Sequence, residues 1–144
     1  MTLVPTTYPS RHPFRDKRVP EGKHKILVVG GTRTFTDWDL LNRTLDRVSF
    51  FMDLVTVVTG GYEGADGLGV RWANRWWWPY RVYEARWYAE GKAAGPVRNR
   101  RMLEESGPNA FLVVFWDGKS PGTKDLLTQA GKLLKPNRIK VVRY

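Results

Sequence analysis

The sequence predicts an α/β fold, a Rossmann-like parallel sheet of about five strands with helices on both faces. Short apolar runs rich in β-branched residues alternate with segments whose apolar residues recur at helical spacing. Three of these apolar runs lead directly into loops rich in glycine and hydroxyl-bearing residues. Such alternation is typical of a parallel sheet whose strands are joined by right-handed helical crossovers.

The first half of the chain contains three predicted strands and two predicted helices. Residues 26–29 form a continuous apolar run, as expected of a strand that is buried on both faces. A helix over residues 37–52 follows, with Thr36 and Asp39 as the predicted capping pair. The next elements are a strand, a helix ended by Pro79 and a short strand, at residues 54–59, 65–77 and 81–83.

The second half contributes two more helices and two more strands. Residues 84–94 are polar and show no periodicity that assigns them to an element. A helix begins at Gly95-Pro96, because proline is favoured in the first turn, and it ends near Ser106-Gly107-Pro108. The remaining predictions are a strand, a helix and a final strand at residues 110–116, 122–134 and 139–142.

The 144 residues fit one domain, residues 26–144, preceded by an extended or disordered arm over residues 1–25 that is basic and rich in proline. The absence of cysteine excludes disulfides, thiolate nucleophiles and cysteine-ligated zinc. No apolar stretch is long enough to span a bilayer, and the N-terminus has no signal-peptide core. We therefore expect a soluble cytoplasmic protein without a membrane partner.

The net charge of +10 favours anionic partners. Nucleic acid and phosphorylated small molecules are both anionic, so the charge of the chain does not distinguish between them. The arm is suited to lie on nucleic acid or on a neighbouring subunit, and it is equally compatible with a solubilising tail.

Seven tryptophans are many for a chain of this length. The run Trp76-Trp77-Trp78 suits base stacking, core filling or a subunit interface. Together with Trp72, these side chains would surround several faces of one predicted helix. A small core cannot bury all of them, so the pattern predicts a homo-oligomer.

The glycine loops follow strands whose carboxyl ends meet at one edge of a parallel sheet, where ligands of such folds bind. Glycine lets the backbone approach a ligand closely, and the N-terminus of a helix attracts phosphate. The helix that begins at Gly95-Pro96 runs antiparallel to the strands and starts at the same edge. The candidate ligand-binding residues are Gly30, Gly31, Thr32, Arg33, Gly60, Gly61, Gly64, Ala65, Asp66, Gly95, Arg98, Asn99, Asp117, Gly118, Ser120, Gly122 and Thr123.

A simpler interpretation is that these glycines form tight turns and that the hydroxyls cap helices. Neither the G-x-G-x-x-G motif nor the P-loop motif is present. Both histidines, His12 and His24, lie in the arm, which removes the usual general base from the domain. The catalytic residue is unknown, with Asp66, Asp117 and Asp125 as candidates, and no metal site or required cofactor is predicted, although Asp117 is suited to Mg²⁺.

Four segments of the chain resemble the YspA-like, cpYpsA-related branch of the SLOG superfamily. This Rossmann-like superfamily also contains the LOG-type phosphoribohydrolases and the DNA-processing protein DprA. The segments are Gly30-Gly31-Thr32-Arg33-Thr34-Phe35, Thr59-Gly60-Gly61 with Gly64-Ala65-Asp66, residues 91–102 and residues 115–123.

The resemblance implies a nucleotide-derived small molecule, such as an ADP-ribose-like or ribose-phosphate compound, with its phosphate or ribose near Arg98, Asn99, Gly122 and Thr123. LOG-type enzymes carry a catalytic glutamate three residues after the threonine of their Gly-Thr motif, and the matching position here is Leu126. Glu63 also places a negative charge in the glycine loop that follows the predicted strand at residues 54–59. The chain is thus expected to bind such a ligand as a sensor, sequestering or processing domain. The alternatives are a phosphoribohydrolase that releases the base from nucleoside monophosphates and a DprA-like single-stranded nucleic-acid binder.

Overall fold

A computed structural model describes residues 2–3 and 24–144. In these residues, six strands form one sheet. The strands are β1 (Thr2–Leu3), β2 (His24–Gly31), β3 (Leu54–Thr59), β4 (Tyr80–Val82), β5 (Phe111–Trp116) and β6 (Ile139–Arg143). The helices are α1 (Trp38–Ser49), α2 (Gly64–Arg75), α3 (Trp87–Glu90), α4 (Ala94–Ser106) and α5 (Pro121–Leu133).

The strands are arranged in the order β1-β4-β3-β2-β5-β6. Strands β2 to β6 are parallel, whereas β1 pairs with β4 in the antiparallel direction. The predicted Rossmann-like sheet of about five parallel strands is therefore confirmed. From β2 the chain builds the sheet towards β4 and then returns to add β5 and β6 on the other side. Ligands of such sheets bind at the carboxyl ends of the strands beside this reversal of order, which here lies between β2 and β5.

Each face of the sheet has its own hydrophobic core, because successive strand residues point to opposite faces. Leu27 and Val29 pack with buried residues of α1 and α2. Val28, between them, packs with buried residues of α4 and α5. Helices therefore cover both faces, as the continuous apolar strands predict.

Helix α2 ends two residues earlier than predicted, and the tryptophan run explains its end. Trp77 has a left-handed backbone, with φ 62°. Its N–H donates to the carbonyl of Asn74 at 3.2 Å, and the N–H of Trp78 donates to that of Ala73 at 2.9 Å. These two bonds form a Schellman motif, with tryptophan where glycine is usual. The run therefore lies beyond the helix and does not surround it.

Trp72, which lies within α2, is completely buried. Its indole N–H and that of Trp76 both donate to Oδ1 of Asp46, at 2.9 and 2.8 Å. A single chain thus covers Trp72 fully, and the burial of this side chain requires no partner subunit. Homo-oligomerisation remains a prediction.

Two further local predictions differ from the structure. Helix α1 is capped by Asp37, whose Oδ1 accepts from the N–H of Leu40 at 3.0 Å, and not by the predicted pair of Thr36 and Asp39. The unassigned residues 84–94 contain α3 and a 3₁₀ turn at Gly91–Ala93, and α4 begins at Ala94, one residue before the predicted start.

Most of the predicted basic arm lies outside the described residues. Strand β2 begins at His24, so residues 24 and 25 belong to the sheet. Thr2 and Leu3 pair with Val82 and Arg81 of β4. No helix in the described part of the chain is long and apolar enough to cross a membrane.

Candidate ligand-binding crevice

An open cavity of about 850 Å³ lies at the carboxyl-end edge of the sheet. Its walls are the loops after β2, β3 and β4, together with the first turns of α4 and α5. Small-molecule sites in proteins have volumes of roughly 300–1,000 Å³, so this cavity is large enough for a nucleotide-sized ligand.

The structure brings together most of the residues that the sequence singles out. All three glycine loops and the start of α4 contribute to the lining. The predicted residues in the lining are Gly30, Gly31, Arg33, Gly60, Gly61, Asp66, Gly95, Arg98, Asn99, Ser120, Gly122, Thr123 and Asp125.

Five predicted residues lie outside the lining and hold the loops instead: Thr32, Gly64, Ala65, Asp117 and Gly118. The hydroxyl of Thr32 accepts from the N–H of Asp117 at 3.2 Å, which joins the loops after β2 and β5. The carbonyl of Thr32 accepts from the N–H of Ala65 at 3.3 Å. Gly64 adopts φ 57° against the backbone of Thr32 and Arg33, where a Cβ atom would not fit.

Asp117 orders the start of α5. Its Oδ1 accepts from the N–H groups of Lys119 and Ser120, both at 2.8 Å. The backbone bond from Ser120, followed by that from Lys119, lowers the pKa of Asp117. No group of three or more potential metal ligands occurs among the described residues. The bonds from Lys119 and Ser120 engage the carboxylate of Asp117 within its own loop.

Gly60 is held between two charged side chains. Its N–H donates to Oδ2 of Asp66 at 3.0 Å, and its carbonyl accepts from Nη1 of Arg98. A Cβ atom on Gly60 would lie 2.6 Å from Nη1 of Arg98, so a larger residue requires the guanidinium to move. Glycine at position 60 lets Arg98 cross the end of β3 without this displacement.

Arg98 links several elements from the first turns of α4. In addition to Gly60, its Nη1 donates to the carbonyl of Tyr83 at 3.3 Å, just after β4. Its Nε donates to Oδ1 of Asn99 at 2.9 Å. The amide of Asn99 donates in turn to the carbonyl of Gly122 at 3.3 Å and to Oδ2 of Asp125 at 2.9 Å. These bonds connect β3, β4, α4 and α5 around the crevice.

Asp66 and Arg98 are both desolvated by the surrounding protein. Burial raises the pKa of Asp66 to about 6, although the charge of Arg98 and bonds from the N–H groups of Gly60 and Gly31 oppose this shift. Burial lowers the pKa of Arg98, and the charge of Asp66 opposes that shift. The crevice thus contains a carboxyl group that titrates close to neutral pH.

The first turn of α5 presents backbone donors to the cavity. Ser120 is the N-cap residue, but its side chain makes no capping bond to the helix. The hydroxyl of Thr123 donates to that of Ser120 at 3.2 Å. The N–H groups of Gly122 and Thr123 belong to the first turn, where a helix has no internal acceptors and its dipole attracts anions.

Asp125 and Leu126 are neighbours in α5 but have different surroundings. Oδ2 of Asp125 accepts from the amides of both Asn99 and Gln129, at 2.9 and 2.8 Å. Leu126, at the position of the LOG glutamate, lines the cavity, and its Cδ2 lies 2.8 Å from where a Cβ of Gly30 would be. An apolar side chain therefore occupies that part of the wall.

Several lining residues have no role in the sequence prediction. The largest are two aromatic side chains, Tyr62 after β3 and Trp87 in α3. Trp87 belongs to the polar stretch that has no periodicity, so no sequence pattern marks it. The other lining residues without a predicted binding role are Glu63, Glu84, Ala85, Lys92, Pro96, Met102, Pro121 and Leu126.

Comparison with known proteins identifies the family. A model of the YspA, cpYpsA-related SLOG family matches residues 25–89. The chain is 32% identical over 119 residues to the Gene 61 protein of Mycobacterium phage D29, an alignment that covers 74% of this chain and 88% of that relative. The chain belongs to the YspA, cpYpsA-related SLOG family. No solved structure matches it.

Membership of the SLOG family indicates, at a coarse level, a nucleotide-related ligand. The part matched by the family model extends from β2 through most of α3. It therefore includes the loops that carry Arg33, Gly60 and Asp66, whereas the first turns of α4 and α5 follow it in sequence.

Gly60→Ala and Gly131→Ala are expected to change stability in opposite directions. The new methyl at position 60 must displace Arg98, so the free energy of unfolding should fall by roughly 1–3 kcal/mol. Gly131 lies inside α5 with no atom near its missing Cβ, and alanine there should raise that free energy by roughly 0.5–1 kcal/mol. Urea unfolding of both variants and wild type provides the measurement. Equal effects would show that Gly60 is an ordinary turn residue.

The raised pKa of Asp66 predicts a specific dependence of stability on pH. The folded protein holds the proton up to about pH 6, whereas the unfolded chain releases it near 3.8. The stabilisation from the neutral carboxyl is therefore complete below pH 3.8 and is lost as the pH rises through 6. Between pH 4 and pH 7, wild type should lose up to roughly 3 kcal/mol relative to Asp66→Asn.

Urea unfolding of wild type and Asp66→Asn at several pH values measures this difference directly. Because only the change with pH is compared, any constant effect of the amide on the loops cancels. A difference that stays constant, or that moves in favour of wild type as the pH rises, would contradict the raised pKa.

Proposed function

We propose that this protein binds a nucleotide or nucleotide-derived ligand, of the ADP-ribose-like or ribose-phosphate class, in the crevice at the carboxyl-end edge of the sheet. The phosphate is held at the first turn of α5 by the N–H groups of Gly122 and Thr123. Arg33, which lines the same cavity, pairs with it from the loop after β2. The observation that carries the proposal is this meeting of an uncapped helix start with an exposed arginine in one cavity.

The charges of the lining favour a small ligand with few phosphates. Three cationic side chains line the cavity, Arg33, Lys92 and Arg98, against four acidic ones, Glu63, Asp66, Glu84 and Asp125. The high positive charge of the whole chain is thus not concentrated in the crevice. Attraction for phosphate comes from the helix start and from nearby arginine, which suits a nucleotide better than a nucleic-acid backbone.

Arg33→Ala tests the phosphate contact. Arg33 is exposed, so its removal should leave the fold intact. Loss of a charge-assisted hydrogen bond should weaken the binding of AMP or ADP-ribose by roughly 10-fold or more in calorimetry. Arg47→Ala, an exposed arginine in the last turn of α1 and outside the cavity, is the charge-matched control and should bind like wild type.

Absence of binding by wild type to either nucleotide would refute the proposal. Equal loss in the Arg33 and Arg47 variants would show that only the overall charge matters, and not this site.

A phosphoribohydrolase is the second candidate, and Asp66 is the observation that favours it. A carboxyl group with a pKa of about 6 can exchange a proton near neutral pH, as general acid–base catalysis requires. Asp66 would stabilise the oxocarbenium-like state that forms as the base leaves. This candidate predicts that concentrated enzyme releases adenine from AMP and that Asp66→Asn releases at least 100-fold less. Chromatography that finds no free base in the wild-type reaction dismisses it.

A further inference from the structure

Among the described residues, the indole of Trp87 differs from the other tryptophan side chains in making no hydrogen bond or ring contact. Trp38 lies under the guanidinium of Arg71, at 4.0 Å from the ring centroid. The indole N–H groups of Trp72, Trp76 and Trp116 donate to protein oxygens, and Trp77 and Trp78 also have partners. In the described part of the chain, no hydrogen bond or ring contact involves the side chain of Trp87.

Trp87 is also an exposed part of the cavity wall. Its side chain is 51% exposed, and it lines the same cavity as the first turn of α5. A Cβ added to Gly95 would lie 3.6 Å from Cη2 of Trp87, so one edge of the indole rests on the start of α4. Tyr62, which is 48% exposed, is a second aromatic side chain in this lining.

An exposed indole without a partner leaves a large apolar surface in contact with water. Covering such a surface is favourable, and a nucleobase covers it particularly well because every base has a flat π-face. Tryptophan also has few rotatable bonds, so little conformational entropy is lost when it is covered.

We propose that Trp87 is the stacking surface for the base of the ligand. This inference rests on the proposed function. The crevice then has two ends, an anion site at Gly122 and Thr123 and an aromatic site at Trp87. A ligand that carries both a phosphate and a base uses both ends, whereas a ribose phosphate without a base uses only the first. The site therefore selects base-bearing nucleotides.

Calorimetry with AMP and ribose 5-phosphate tests this assignment on the full chain. Wild type should bind AMP more tightly than ribose 5-phosphate. Trp87→Ala should weaken AMP binding by roughly 5- to 150-fold and change ribose 5-phosphate binding by less than about twofold, given the usual strength of base–aromatic stacking. Trp87→Phe, which keeps a flat ring, should recover most of the affinity for AMP.

Tyr88→Ala is the matched control. Tyr88 is the next residue of α3, is fully exposed and lies outside the cavity lining. This variant should bind both compounds like wild type. Thermal unfolding of all variants separates a loss of stacking from a loss of folding.

The outcomes separate this inference from the proposed function. If wild type binds neither compound, both are overturned. If wild type binds both compounds equally well, or if Trp87→Ala weakens both to the same extent or neither, the stacking role is overturned while phosphate binding stands. Equal binding of the two compounds by wild type overturns the stacking role even if Trp87→Ala does not fold.

Discussion

The contact of Gly60 with Asp66 and Arg98 is the constraint on which the crevice depends. Asp66 accepts from the N–H of Gly60, Arg98 donates to the carbonyl of Gly60, and a side chain at position 60 would displace the guanidinium of Arg98. Arg98 and its neighbour Asn99 extend this contact to Tyr83 and Gly122. These hydrogen bonds connect β3, β4 and the first turns of two helices at the edge of the sheet.

The same arrangement bears on how the crevice can accept an anion although its cationic side chains do not outnumber its acidic ones. Asp66 and Arg98 are desolvated together, and each favours the charged form of the other. Arg98 already donates hydrogen bonds to Gly60, Tyr83 and Asn99, so fewer of its donors are available to a ligand. Phosphate binding consequently depends on the dipole and the free donors of α5, which Asp117 orders through the backbone of Lys119 and Ser120.

Sequence patterns predict what depends on periodicity and local chemistry. The strand at residues 54–59 has the predicted bounds, and α5 lies within one residue of its prediction. The features that sequence patterns do not predict depend on contacts between residues that are distant in the chain. Nothing local shows that Arg98 meets Gly60, that Thr32 holds Asp117 or that Trp87 lines the cavity. The left-handed Trp77 is missed because propensity places glycine at such a position.

In the proposed complex, one crevice binds a nucleotide with its phosphate at the start of α5. Titration of AMP into ¹⁵N-labelled protein, followed by NMR of the backbone amides, tests this most directly. We expect the largest shifts at Gly122 and Thr123, with further shifts in the loops that carry Gly31 and Gly61. Shifts confined to the opposite edge of the sheet, or no saturable shifts at all, would contradict it.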